Sequence, residues 1–353
     1  MTTSITRDGR EGDVLAVVSQ SGPTVTFFDA ATDAALGALE LLAEPHELCF
    51  DPTQRLLWCT ISYFSGYYHA NAGRRTLLTV IDPDARRVVD VVDIAPEHGP
   101  HGLALDAARG RLYVSVEGSD NRQGGVVVID TATRKPLGRI DTGAKGPHWF
   151  VVDGAGERGY ASNKEAPFVS FVDLVSGTFT TTVEVPGSEG LAVSDDGGEL
   201  YVAAPYAYFQ PGATGERPLP GIRVIDTAAA AVVDVLPTEK VIIPVHLTST
   251  GTLLAGEPRM VIDGCSALGR QAPGRLTAFS TSTRKQIAHV ELKGELPLTI
   301  TASPDGRLGY VASVGSSTVD VVDLETWELL SSFDVAKRGE PGAHGLAYVP
   351  RAN

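Results

Sequence analysis

Cysteine is scarce in this chain of 353 residues, which has three, Cys49, Cys59 and Cys265. An odd count without paired metal-site spacing excludes a disulfide framework and a zinc module, and cytosol would keep the thiols reduced. Cys49 and Cys59 flank the turn sequence DPTQR and are expected to face each other across a hairpin as two small buried side chains, with no chemistry assigned. No apolar run approaches the ~20 residues of a membrane span, and the opening MTTSITRDGREGDV lacks the apolar centre of a secretory signal, so a cytoplasmic protein away from membranes is expected. Basic residues are outnumbered, 29 Lys and Arg against 43 Asp and Glu. The formal charge of −14 repels polyanions and excludes nucleic acid as the expected partner. Gly-rich stretches such as GAGERG lack the strand-then-helix setting of a phosphate loop. A G-x-S-x-G nucleophile elbow and the tryptophan-aspartate dipeptide of peptide-binding propellers are both missing.

What the chain does have is Gly (38), Pro (22) and short segments rich in Val, Ile, Thr and Tyr, which suit strands joined by turns. One pattern recurs at a period in the range of ~20–50 residues that marks propellers and arrays. PHGLALD from Pro100 is echoed by PHELCFD from Pro45, PHWFVVD from Pro147, SEGLAVS from Ser188 and AHGLAYV from Ala343. After this first strand comes a polar turn, then a second strand: LLWCTI, RLYVSV, RGYASN, ELYVAA, TLLAGE or LGYVAS. A third strand ends in Ile-Asp or Val-Asp, and a fourth closes the unit. Residues 13–43 supply three strands without a first one, and 343–349 supply a first strand without the rest. Joining them completes a seventh unit and leaves few open edges. The fold expected is an all-β, seven-bladed β-propeller with four antiparallel strands per blade, one domain over 1–353, its last blade closed by the N- and C-terminal strands.

The second strands LYVSV, LYVAA and GYVAS, followed by V-I-D-T or V-V-D-L, resemble the YVTN-type seven-bladed propellers over essentially the whole chain. That resemblance implies the fold and leaves function open, because the family holds surface-layer modules, DNA-associated proteins and enzyme subunits. The Pro-His segments that open the blades are also similar to those of the virginiamycin B lyase group, which implies metal-assisted eliminative ring opening without implying that antibiotic.

In a propeller the first strands line the channel, so equivalent positions form a ring at its mouth. Alignment on the second strand places His46, His101, His148, Glu189 and His344 there, and Leu298 in the sixth blade. In the fifth, His246 falls about two residues late, and two-residue alternation would point it the same way. Converging imidazoles with a carboxylate suit a divalent transition metal, Fe, Zn, Cu, Mn or Ni. One histidine at a strand start is more often structural, its ring bonded to a turn carbonyl. Several in register are harder to explain so.

Loops after the second strands emerge on the ring face. They bring Glu117 or Glu257 as general base or as partner of a ring histidine, and Lys164 for an oxyanion or carboxylate. Asn163, Arg259 and the aromatic residues Tyr63, Tyr67, Tyr206 and Tyr208 would line a small-molecule pocket. The expected function is a metal-dependent enzyme on a small organic substrate, a lyase first and an isomerase or hydrolase next. Two alternatives stand beside it: a non-catalytic propeller that binds a protein or peptide through the aromatic loops, and a lactonase similar to the phosphogluconolactonase propellers, using Lys164 and Arg259 for an anionic substrate.

Overall fold

A computed structural model describes residues 7–67, 70–205, 219–261, 270–335 and 342–352. It is an all-β protein of seven four-stranded antiparallel sheets. In six blades the strands follow chain order from the inside outward; the second, for example, runs His98–Asp106, Arg111–Glu117, Gly125–Asp130, Lys135–Asp141. The seventh is ordered Ala35–Glu40, Thr24–Asp29, Val14–Ser19, Ala343–Val349, so its inner strand comes from the other end of the chain. Each inner strand contacts the inner strand of the next blade, and Ala343–Val349 contacts Leu48–Asp51 to close the circle. A short hairpin, Gly66–Tyr67 with Ala70–Asn71, projects from the first blade.

Burial explains the sequence pattern. Second strands are covered on both faces by neighbouring blades, so Arg111–Glu117 is buried from Leu112 onward and reads as a continuous apolar run. Outer strands have little cover, and most of Thr178–Glu184 is exposed. Between the first two blades, Trp58, Leu78, Val80, Leu112, Val114 and Ile129 form one such apolar layer.

The recurring V-I-D-T has a local cause. Oδ1 of Asp82, Asp130, Asp226 and Asp323 accepts backbone N–H groups two or three residues ahead, which folds the turn between third and fourth strands. The turn is completed in the left-handed region by Arg86, Arg134, Ala230 and Trp327, with φ of 49°, 59°, 49° and 60°.

The two cysteines do not face each other. Cys49 pairs with Trp58 and Cys59 with Leu48, so their side chains lie on opposite faces of the sheet. Cys59 joins the layer shared with the seventh blade, Cys49 the layer shared with the second. Burial pushes the Cys49 thiol up to about 12 and raises that of Cys59 further, which leaves both unreactive.

Candidate metal centre

Strand pairing fixes which residues share the innermost position. Leu48, Leu103, Phe150, Leu191, Val245, Ile300 and Leu346 pair with equivalent second-strand residues: Cys59, Val114, Ala161, Val202, Ala255, Val311 and Val17. Two residues earlier stand His46, His101, His148, Glu189, Ile243, Leu298 and His344. Five successive polar positions, from His344 through His46, His101 and His148 to Glu189, thus face two apolar ones. Ile243 and Leu298 pack with Leu296 and Val314 in an apolar cluster on the far side.

The backbone around the ring is irregular for a reason. The ladder shifts register between Pro100 and Leu103 and between Pro147 and Phe150. There, hydroxyls of the second strand take the freed N–H groups: Glu47 N to Thr60 (3.0 Å), Gly102 N to Ser115 (2.8 Å) and Trp149 N to Ser162 (3.1 Å). Neighbouring inner strands also come close enough that a side chain would not fit. A Cβ on Gly102 would lie 2.6 Å from the His148 carbonyl oxygen, and one on Gly345 2.6 Å from that of His46. These close approaches draw the ring side chains together.

The four histidines are buried, and their rings touch in series. Centroids are 4.2 Å apart for His344 and His46, 4.6 Å for His46 and His101, and 4.4 Å for His101 and His148. The series ends on Glu189, whose Oε1 is 3.0 Å from Nδ1 of His148 and 3.3 Å from the Lys164 ammonium. Burial, with its histidine neighbours, lowers His46 well below the ordinary imidazole range; burial and then Lys164 do the same for His148. Both therefore present neutral rings, the form that ligates metals. Burial also lowers His101, against the pull of Glu117, and raises Glu189 despite Lys164.

His101 is held as metal-binding histidines usually are. Its Nε2 lies 2.7 Å from Glu117 Oε1 and 2.9 Å from the Tyr63 hydroxyl. Donation from Nε2 to the carboxylate fixes the tautomer with its lone pair on Nδ1. Glu117 also accepts from Tyr63 and from Arg74 Nε. Burial opposes its charge, yet the bonds from His101 and Tyr63 and the Arg74 guanidinium hold its carboxyl below the usual range.

Among the described residues, two groups of three gather their ligand atoms within 4.8 Å of one another: His46, His101 and His148; and His46, Glu47 and His344. Nδ1 of His46, Nδ1 of His344 and Oε1 of Glu47 are buried without a hydrogen bond among the described residues. Electron-rich atoms converging in this way fit a cation, and these buried groups could hold a metal ion.

The other residues singled out in the sequence fall in different places. Glu257 stands two positions past Ala255, whereas Glu117 stands three past Val114, so alternation turns Glu257 to the other face of its sheet. There it accepts from Lys240 N (2.8 Å) and the Thr277 hydroxyl, away from the ring. Asn163 is buried within the third blade, donating to Phe168 O and Ser170 Oγ at 2.9 Å each. Arg259 lies in a surface ion pair with Glu291, Nη2 to Oε1 2.9 Å. Tyr206, Tyr208 and the Tyr67 side chain lie outside the described residues.

His246 is not a ring residue. It follows Ile243 by three positions rather than two, which reverses its face and sets it beside Leu254 in the layer between the fifth and sixth blades. Burial there pushes its imidazole down to about 4. An unfolded histidine titrates near ~6.5, so between the two values the unfolded chain holds the extra proton and stability falls as pH drops through that window. The full shift corresponds to about 3 kcal/mol at most. In urea melts, His246→Leu is expected to gain on the parent protein by up to that amount between about pH 7 and about pH 4.5. An unchanged difference would contradict this placement.

Glu47 was the donor beside the ring that sequence reasoning missed. Its signal was present, since PHELCFD puts glutamate where PHGLALD and AHGLAYV have glycine.

No protein-family model matches the chain, and no curated protein matches it in sequence. Solved structures do. Hydrazine synthase of Kuenenia stuttgartiensis is 16% identical, covering 87% of this chain and 96% of that one with a TM-score of 0.66. A functionally unknown protein from Desulfotomaculum acetoxidans DSM 771 is 10% identical, covering 96% and 99% with a TM-score of 0.71. At these identities the likeness shows the propeller fold alone.

Proposed function

We propose that the protein is a metal-dependent enzyme acting on a small organic substrate at the histidine ring, by elimination, ring opening, isomerisation or hydrolysis. The observation that carries this reading is the run of five polar side chains at successive innermost positions, with imidazoles in contact and Glu117 orienting His101. When bound, a divalent ion supplies Lewis acidity toward a carbonyl or lowers the pKa of a water molecule. His46, His101 and His148 would hold it. Lys164, buried against Glu189, is the cation placed to receive negative charge that develops beside the ring. Glu117 is committed to His101, Tyr63 and Arg74, so it positions a ligand rather than moving protons. The Ile243 and Leu298 side leaves an apolar wall for the organic part of a substrate. One structural neighbour carries the name of an enzyme, hydrazine synthase, which is in keeping with this reading.

Elemental analysis of protein purified without a histidine tag tests the metal, with His101→Ala and His148→Ala expected to lose it and to keep the strand-rich circular dichroism spectrum. A parent protein that takes up no divalent ion, even after reconstitution, overturns the reading. Catalysis further requires an open coordination position, whereas a structural site is closed. Azide added to the Co²⁺-substituted protein is therefore expected to change its visible spectrum, and an unresponsive spectrum would leave a purely structural metal.

A further inference from the structure

We infer that the hub holds two metal ions, the second bound by His46, Glu47 and His344. The inference rests on the metal reading above and adds a site to it. Ligand nitrogens on one zinc-like ion, each at ~2.1 Å, lie no more than about 4.2 Å apart. The donors here do not form a single such set but two triads, each gathered within 4.8 Å and sharing His46. Each triad closes on an ion with a small movement. As placed, one ion does not reach both, because the ligand atoms of His344 and Glu47 do not gather with those of His101 and His148.

Charge gives a second, independent reason. Three buried carboxylates surround the histidines, and two have a basic partner: Glu117 has Arg74, and Glu189 has Lys164 at 3.3 Å. Among the described residues Glu47 has no ion pair with lysine or arginine. Its Oε1 lies 3.0 Å from Nδ1 of His344 and 3.5 Å from Nδ1 of His46, with no hydrogen bond to either. A buried carboxylate left uncompensated is costly, and a cation between these three atoms supplies what Arg74 and Lys164 supply to the other two. Since Nδ1 of His46 faces Glu47, the opposite nitrogen is left for His101 and His148. His46 thus bridges the two ions as an imidazolate, its ring proton passing to solvent. The ligands select a borderline divalent ion such as Zn²⁺, Co²⁺ or Cu²⁺, for which mixed imidazole and carboxylate donors are suited.

The test is the number of Co²⁺ equivalents retained by the full-length, tag-free protein after chelator stripping, reloading and dialysis. Two are expected in the parent protein and one each in Glu47→Gln and His344→Asn, the second variant guarding against a folding defect in the first. A parent protein that binds one equivalent, kept by Glu47→Gln, overturns the second site and leaves the metal reading standing; a proton shared by Glu47 and His344 gives this outcome. Two equivalents retained by both variants also overturn it. No bound metal in the parent protein removes both readings at once.

Discussion

Replacing His46 with alanine leaves a folded propeller that no longer retains metal. His46 is common to both donor triads, so its loss leaves only the pair His101 and His148 on one side and Glu47 and His344 on the other. Structural zinc sites gain about 10–16 kcal/mol from roughly four ligands, so one ligand accounts for about 3 kcal/mol, a hundredfold or more in affinity for each ion. The variant is expected to fold because Nδ1 of the parent imidazole makes no hydrogen bond among the described residues. The readout is therefore a difference: added metal raises the melting temperature of the parent protein by mass action and leaves that of His46→Ala unchanged. Glu117→Gln, which touches His101 rather than an ion, is expected to weaken binding only about 10–100-fold. A His46→Ala protein that still binds metal with the parent affinity would place the ion elsewhere.

Ending the chain at Gly342 abolishes folding. The deleted segment is the inner strand of the seventh blade, and it buries Leu346, Tyr348 and Val349 against the sixth and first blades. At about 1.5–3 kcal/mol for each large apolar side chain the loss is about 5–9 kcal/mol. That matches the whole stability of a typical domain, about 5–15 kcal/mol. The deletion also removes polar ties, from Arg351 N to Asp13 (2.8 Å) and from Arg55 to Pro350 O (2.8 Å), and strips the Val14–Ser19 edge of its partner. An unpaired apolar edge recruits other chains. The expected product is insoluble or lacks a cooperative melt, whereas a soluble monomer melting within a few degrees of the parent protein would refute closure by this strand.

The fold was legible because each blade repeats the same local instructions. Val-Ile-Asp-Thr marks a third strand and its side-chain-bonded turn, and RLYVSV marks a strand covered on both faces. Three of the histidines were legible as His-containing copies of one first strand, and His344 through the unfinished seventh unit. Two features of the site were not. His246 was placed by its residue type, while strand pairing, which depends on where the fifth blade begins its ladder, gives that position to Ile243. Glu47 was passed over because the repeat directs attention to what recurs, and Glu47 is the departure from a glycine. Glu257 and Glu117 looked alike in sequence, yet a shift of one position along the strand turned one of them out of the hub. Parity of this kind is set by pairing register, which composition and spacing do not specify.

The inner strand contributed by Ala343–Val349 also sets an order in time. During synthesis Val14–Ser19 leaves the ribosome long before its partner and waits, its edge unpaired, until the other six blades have been made. His46, His101 and His148 exist in the nascent chain for most of that interval, but His344 arrives only after the sixth blade. Metal loading at the proposed Glu47 site would therefore wait for the inner strand of the seventh blade. An ion found there would certify that the circle has closed, because a translation product stalled in the sixth blade carries His46 and Glu47 but lacks His344.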